Sequence, residues 1–207
     1  MTDYKFTQDW FHWAPPIWEQ LKPLLPTDAP RRFLEVGSFE GRSAVWIIEN
    51  MMQDGDTLYC VDTWDGGEEH SNGEMDGAEE RFDHNRSLAI AGKNVEVHKV
   101  KRDSVTQFAI MYAANVMNTA IDEPTRDLDF IYIDGSHIAK DVLTDACMAW
   151  PLLKKGGIMV FDDYMWGEPR DILHRPKPAI DAFCNLFAEE AEIVHIGYQL
   201  VVRKKGE

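Results

Sequence analysis

The chain is short of cysteine, short of basic residues and without a long apolar run, and each shortage narrows what it can be. Cys60, Cys147 and Cys184 are its three cysteines in 207 residues. They are too few and too scattered for a disulfide framework, and none has C-x-x-C metal spacing. A reducing, cytoplasmic compartment is the expectation. Lysine and arginine number 21 against 36 acids, a formal charge of −15, so a phosphate backbone finds no electrostatic attraction and a nucleic-acid partner is disfavoured. No apolar run approaches bilayer length, and the opening Met-Thr-Asp-Tyr-Lys-Phe carries charges where a secretion signal needs an apolar stretch. A membrane is therefore not an expected partner. Hydrophobic residues, by contrast, make up 44% of the chain, enough for one domain over residues 1–207 to bury a core without staples.

Short apolar runs alternate with helix-length segments, the pattern of an α/β fold with a parallel sheet and helical crossovers. Five runs read as strands: Arg31–Gly37, Thr57–Asp62, Asn94–Val100, Asp129–Asp134 and Gly157–Asp162. Helical spacing marks Arg42–Gln53, Ala78–Ala91, Ser104–Asn118 and Ile138–Leu153, the last closed early or kinked by Pro151. A further helix is expected at Ala179–Ala191, then runs Glu192–Ile196 and Gln199–Arg203. Only Gly197 and Tyr198 separate that final pair, which demands a hairpin and so an antiparallel last strand.

Two segments stand apart. Tyr4–Leu25 holds Phe6, Trp10, Phe11, Trp13 and Trp18 around Pro15 and Pro16, so residues 1–30 read as an aromatic cap or lid, with an apolar face that also suits self-association into a homo-oligomer. Residues 65–80 carry seven acids, four glycines and no lysine or arginine. Such a stretch buries little and reads as a mobile loop.

The first strand runs into Glu35-Val-Gly-Ser-Phe-Glu-Gly-Arg-Ser43 and then a helix. Gly37 and Gly41 allow close backbone approach to a ligand, Ser38 lies between them, and the helix start adds free N–H donors. The spacing is E-x-G-x-x-x-G rather than the dinucleotide G-x-G-x-x-G. Glu35 disfavours a pyrophosphate but suits an amino group or a sulfonium, which points to S-adenosylmethionine rather than NAD. Asp62, ending the second strand, is placed to accept hydrogen bonds from ribose hydroxyls. Asp103 and Ser104 open a helix and read either as its cap or as an adenine contact, and both can hold.

Strand four ends in Asp134-Gly-Ser-His137 and strand five in Phe161-Asp-Asp-Tyr164. If these strands are neighbours, Asp134, Asp162 and Asp163 converge about 5 Å apart. Carboxylates that close need protons or a cation, and oxygen ligands point to a hard ion such as Mg²⁺. Successive strand residues face opposite ways, so Asp162 and Asp163 can both be ligands only if the chain has already turned there. His137, three residues beyond Asp134, is a candidate general base, the alternative being a cap on the following helix. His12, His84, His98, His174 and His195 fall on caps, faces or strands with no acidic partner signature, while His70, in the acidic loop, could at most approach a substrate.

These motifs, together with Val61-Asp-Thr-Trp64 and Leu153-Lys-Lys-Gly-Gly157, resemble class I S-adenosylmethionine-dependent methyltransferases, and within them the branch of the macrocin and mycinamicin sugar O-methyltransferases. The resemblance runs in order from Phe33 to Arg203. It implies a three-layer Rossmann-like sheet of seven strands with the last reversed. The cofactor site it implies comprises Glu35, Gly37, Ser38, Gly41, Asp62, Asp103 and Ser104, with Mg²⁺ on Asp134, Asp162 and Asp163 and His137 as base. Ala139 stands where the family commonly carries an aromatic. The expected activity is Mg²⁺-dependent O-methylation of a small sugar- or diol-like acceptor. Metal-independent transfer to nitrogen or carbon, and a non-catalytic S-adenosylmethionine-binding module, are the alternatives.

Overall fold

A parallel strand covered on both faces has no polar side, and runs such as RFLEV and LDFIYI almost lack one. The computed structural model describes residues 3–27, 30–68, 70, 73–117, 127–167 and 170–206. Its strands are β1 (Arg32–Val36), β2 (Thr57–Asp62), β3 (Glu96–Lys101), β4 (Leu128–Ile133), β5 (Leu153–Phe161), β6 (Ala191–Ile196) and β7 (Leu200–Lys204). The helices are α1 (Pro15–Leu21), α2 (Arg42–Asn50), α3 (Ala78–Ala89), α4 (Ser104–Met117), α5 (Ala139–Ala149) and α6 (Lys177–Leu186).

The strands form one seven-stranded sheet in the order β3-β2-β1-β4-β5-β7-β6. All pairings are parallel except those of β7, which runs antiparallel to both β5 and β6. The hairpin expected around Gly197 and Tyr198 is therefore present. Because chain order reverses between β1 and β4, a crevice opens beyond their carboxyl ends.

Alternation along the strands separates two buried layers. Leu34, Val36, Ile131, Ile133, Met159 and Phe161 face α4, α5 and α6, while Phe33, Cys60, Phe130, Tyr132, Ile158 and Val160 face α1, α2 and α3. Trp18 of α1 is fully buried in the second layer, its ring 4.9 Å from those of Phe11 and Tyr132. The residues before α1 are tied down too: the Thr7 N–H and hydroxyl donate to Glu40 at 2.7 and 2.6 Å, and the Lys5 N–H donates to Asn85 Oδ1 at 2.7 Å.

Several boundaries differ from expectation. Proline is tolerated in the first helical turn, so α6 starts at Lys177 ahead of Pro178, and it ends at Leu186 because the chain turns to begin β6 at Ala191. Pro151 stops α5 at Ala149 and falls in a 3₁₀ turn, Trp150–Leu152. Residues 78–80 of the acidic segment are the first turn of α3 rather than loop. Asn118, residues 69, 71 and 72 of the acidic segment, and residues 1, 2, 28 and 29 of the N-terminal segment lie outside the described residues. Among the described residues, no helix is long and apolar enough to cross a membrane.

Candidate functional site

The turn from β1 into α2 uses the left-handed backbone region three times, at Gly37 (φ 83°), Phe39 (φ 46°) and Gly41 (φ 77°). Gly37 is required by space as well as by dihedral, since a Cβ there would lie 1.9 Å from the Asp134 carbonyl oxygen. At Gly41 a Cβ would meet Phe82 Cδ2 at 2.8 Å. Removing both side chains lets the loop close against β4 on one side and α3 on the other.

Two acids hold this loop, Asp62 half-buried and Glu35 fully buried. Asp62 Oδ2 accepts the N–H groups of Ser38 and Phe39, both at 2.8 Å, and its Oδ1 accepts that of Trp64 at 2.6 Å. These three backbone N–H groups take up most of the roughly four acceptor positions of the carboxylate. Glu35 is fully buried and accepts the Ser38 and Ser43 hydroxyls at 2.6 and 2.5 Å. Burial pushes its carboxyl up to about 7, against the lowering effect of those two hydroxyls. Glu35 itself does not line the cavity, whereas its partners Ser38 and Ser43 do.

A cavity of ≈ 760 Å³ opens above the loop. Its walls include Ser38, Asp62, Asp103, Ser104, Asp134 and Asp163. Asp103 is the cap of α4, its Oδ1 accepting the Thr106 N–H at 2.8 Å, and the Ser104 hydroxyl donates to Asp145 at 2.6 Å. The cap and the cavity-wall positions thus coexist. Gly41, like Glu35, supports the loop from behind. The N-terminal segment contributes Trp10 and Trp13 to the wall, and the acidic segment contributes Glu68 and His70. Trp10 stacks on Phe39 with ring centres 5.2 Å apart.

The strand ends deliver the acids in register. Asp134 N–H donates to Val36 O at 2.8 Å and Asp162 N–H to Ile133 O at 3.0 Å, continuing the ladder past the last strand residues. Beyond Asp162 the chain turns, with Asp163 at φ 56°. Such a backbone costs ~1–3 kcal/mol for a non-glycine residue and is held by its surroundings. The turn separates the two neighbouring acids. Asp163 joins Asp134 and His137 in a cluster whose candidate ligand atoms all lie within 4.8 Å of one another. His137 Nε2 is 2.6 Å from Asp163 Oδ2, and Trp166 packs on the imidazole at 4.3 Å.

Asp162 lies alongside this cluster rather than in it. Its Oδ1 accepts the Asp163 N–H at 2.7 Å, while its Oδ2 meets the Tyr132 hydroxyl and the Gln199 amide, the latter at 3.2 Å. Tyr132 also reaches Asp134 Oδ2 at 3.0 Å. One hydroxyl proton cannot serve two carboxylates, so the second contact needs a carboxyl proton or a nearby cation. Burial, then repulsion from Asp162 and Asp163, raises Asp134 well above the usual carboxylate range. Burial, then Asp163, brings Asp162 up to about 7. A divalent cation suits this donor set, because it would relieve the repulsion that otherwise holds protons on these acids.

Three residues of the site were not foreseen. Tyr132 was accessible to reading, since it lies two residues before Asp134 and so on the same face of β4. Tyr198 and Trp166 carried no local signal. Tyr198 looked like a hairpin connector, yet its hydroxyl donates to Asp163 Oδ1 at 2.8 Å. Two histidines do have acidic partners: His174 Nδ1 lies 2.9 Å from Glu68, which is remote in sequence, and His98 Nε2 lies 3.5 Å from Glu96 two residues before it.

Residues 34–164 match the family model described as a methyltransferase domain. Among solved structures, an O-methyltransferase from Bacillus cereus in complex with SAH superposes with a TM-score of 0.57 at 17% identity, over 92% of this chain and 82% of that one. The O-methyltransferase TomG from Streptomyces achromogenes, involved in tomaymycin synthesis and solved with SAM, gives 0.58 at 17% identity over 91% and 77%. MycE from the mycinamycin pathway, in complex with Mg and SAH, gives 0.58 at 14% identity, covering 96% of this chain but 51% of that one. No curated protein sequence matches.

Proposed function

Since the chain belongs to the methyltransferase family matched over residues 34–164, and so is an S-adenosylmethionine-dependent methyltransferase, we propose that it carries out Mg²⁺-dependent O-methylation of a small diol- or sugar-like acceptor. The observation that carries this reading is the convergence of Asp134, His137 and Asp163 on the cavity wall. The pairing of Mg with SAH in MycE is consistent with it, and with a place for this chain in the macrocin and mycinamicin branch.

In this reading Ser38, Asp62, Asp103 and Ser104 line the S-adenosylmethionine site, with Glu35, Gly37 and Gly41 shaping the loop that cradles it. Asp134 and Asp163 hold the cation, and Asp162 completes the acidic set through its contacts with Tyr132 and Asp163. When bound, the cofactor supplies a methyl group on a sulfonium and the cation supplies Lewis-acid polarisation of acceptor oxygens. His137 takes the acceptor's hydroxyl proton, with Asp163 fixing the imidazole orientation and Trp166 limiting its rotation. Alignment of the hydroxyl with the methyl group provides much of the rate, and the aromatic wall of Trp10, Phe39 and Trp13 excludes water around it.

The 2.6 Å approach of His137 to Asp163 also favours a second reading, metal-independent transfer assisted by a His–Asp pair. Acceptor choice tests the diol assignment. With labelled S-adenosylmethionine and saturating Mg²⁺, a panel of catechols and hexoses is expected to be methylated, while the matching monohydroxyl compounds are turned over about 10²-fold more slowly or not at all. Equal rates on both sets would remove the diol from the proposal.

A further inference from the structure

Two consecutive residues at the β6–β7 turn reach the two consecutive acids after β5. The Tyr198 hydroxyl donates to Asp163 Oδ1 at 2.8 Å, and Gln199 Nε2 donates to Asp162 Oδ2 at 3.2 Å. Each is held in turn by a tryptophan of the N-terminal segment. Trp13 meets the Tyr198 ring edge-on at 4.8 Å, and Trp18 Nε1 donates to Gln199 Oε1 at 2.8 Å.

We propose that Tyr198 and Gln199 are positioning residues that brace Asp163 and Asp162, and that Trp13 and Trp18 lock this brace from the N-terminal segment. The proposal rests on the reading of Asp134 and Asp163 as the residues that hold a cation beside His137.

Physical chemistry gives each link a purpose. Asp163 sits in a left-handed conformation and shares its space with Asp134 and His137, so its side chain needs an external hold to stay aimed at the cavity. A hydroxyl donating to one oxygen leaves the other, Oδ2, turned toward His137. Gln199 is fully buried and uses both ends of its amide, accepting from Trp18 and donating to Asp162. A buried amide so satisfied has one orientation, and it fixes Asp162. Trp18 is itself immobilised by edge-on contacts with Phe11, Trp46, Phe130 and Tyr132 at 4.9–5.5 Å. The aromatic N-terminus therefore helps set the geometry of acids some 150 residues away in the chain.

The test measures cation binding directly, using Mn²⁺ titrated by calorimetry into the full chain, with Mg²⁺ activation of methyl transfer as a second reading. Asp163→Asn is the reference and is expected to abolish Mn²⁺ binding. Tyr198→Phe keeps the ring and its contact with Trp13, and should weaken Mn²⁺ binding by about tenfold through loss of a hydrogen bond to a charged group. The same variant should raise the Mg²⁺ activation constant far more than it lowers kcat at saturating Mg²⁺. Trp13→Ala should weaken binding in the wild-type background but add little in the Tyr198→Phe background, because both act on one carboxylate. Thermal melts confirm that the variants fold, and Gln199→Met provides a separate measure of the Asp162 arm. Tyr198→Phe binding Mn²⁺ within twofold of wild type, while Asp163→Asn does not bind, would overturn the brace and leave the cation site standing. Additive effects of Trp13→Ala and Tyr198→Phe would remove the tryptophan lock. Absence of Mn²⁺ binding by the wild-type chain would overturn the cation site and the brace together.

Discussion

Asp134→Asn is expected to lower kcat/KM for methyl transfer by about 10²–10³-fold, the scale of losing one charge-stabilising group at a reacting centre, while the folded protein becomes no less stable. The two effects part company because of where Asp134 sits. Its half-buried carboxylate lies beside Asp162 and Asp163, and both repel it. An amide of the same shape removes that repulsion and can still meet the Tyr132 hydroxyl, so the melting temperature should be unchanged or higher. Sites that trade stability for function behave in this way. Thermal unfolding and a methyl-transfer assay on the same preparation check it. A variant that melts several degrees lower, or one that keeps its rate, would mean that Asp134 is a structural acid.

His137→Ala is expected to reduce kcat by about 10²–10⁴-fold, the usual contribution of a general base, with little change in KM for S-adenosylmethionine. The imidazole touches Asp163 and Trp166, on the side of the cavity away from Asp62, Asp103 and Ser104, so its removal should spare donor binding. Steady-state kinetics with each substrate varied in turn gives the answer. Added imidazole should restore part of the rate, as the alanine leaves a space of matching size. Should the loss instead appear as a raised Mg²⁺ requirement at unchanged kcat, His137 would be a cation ligand and not the base.

How much of this was legible in the sequence depended on whether the cause was local. β2 was readable to both ends, because TLYCVD is apolar on both faces and is followed by a polar turn. The reversed β7 followed from two connector residues that leave no room for a crossover. Gly37 was marked as a loop glycine by its place after β1, but its closest reason, the Asp134 carbonyl, comes from a strand 97 residues further along. The pairing of Asp162 and Asp163 was visible as a doublet. Which of them would join Asp134 and His137 was not, since that depends on a left-handed turn at an aspartate. Asp62 is marked as a ligand group by its place at the end of β2, but its hold on three backbone N–H groups of the neighbouring loop has no local signature. Tyr198 and Gln199 were hidden for a similar reason: their partners lie 35 and 37 residues away, and a hairpin turn gives no hint of what its side chains will reach.

The cation-holding cluster is the centre of the account, and chelation tests it most directly. Enzyme stripped with EDTA, exchanged into metal-free buffer and assayed with a diol acceptor is predicted to lose nearly all methyl transfer and to regain it when Mg²⁺ is restored. Full activity in EDTA would contradict the account and leave the His137–Asp163 pair as the catalytic device.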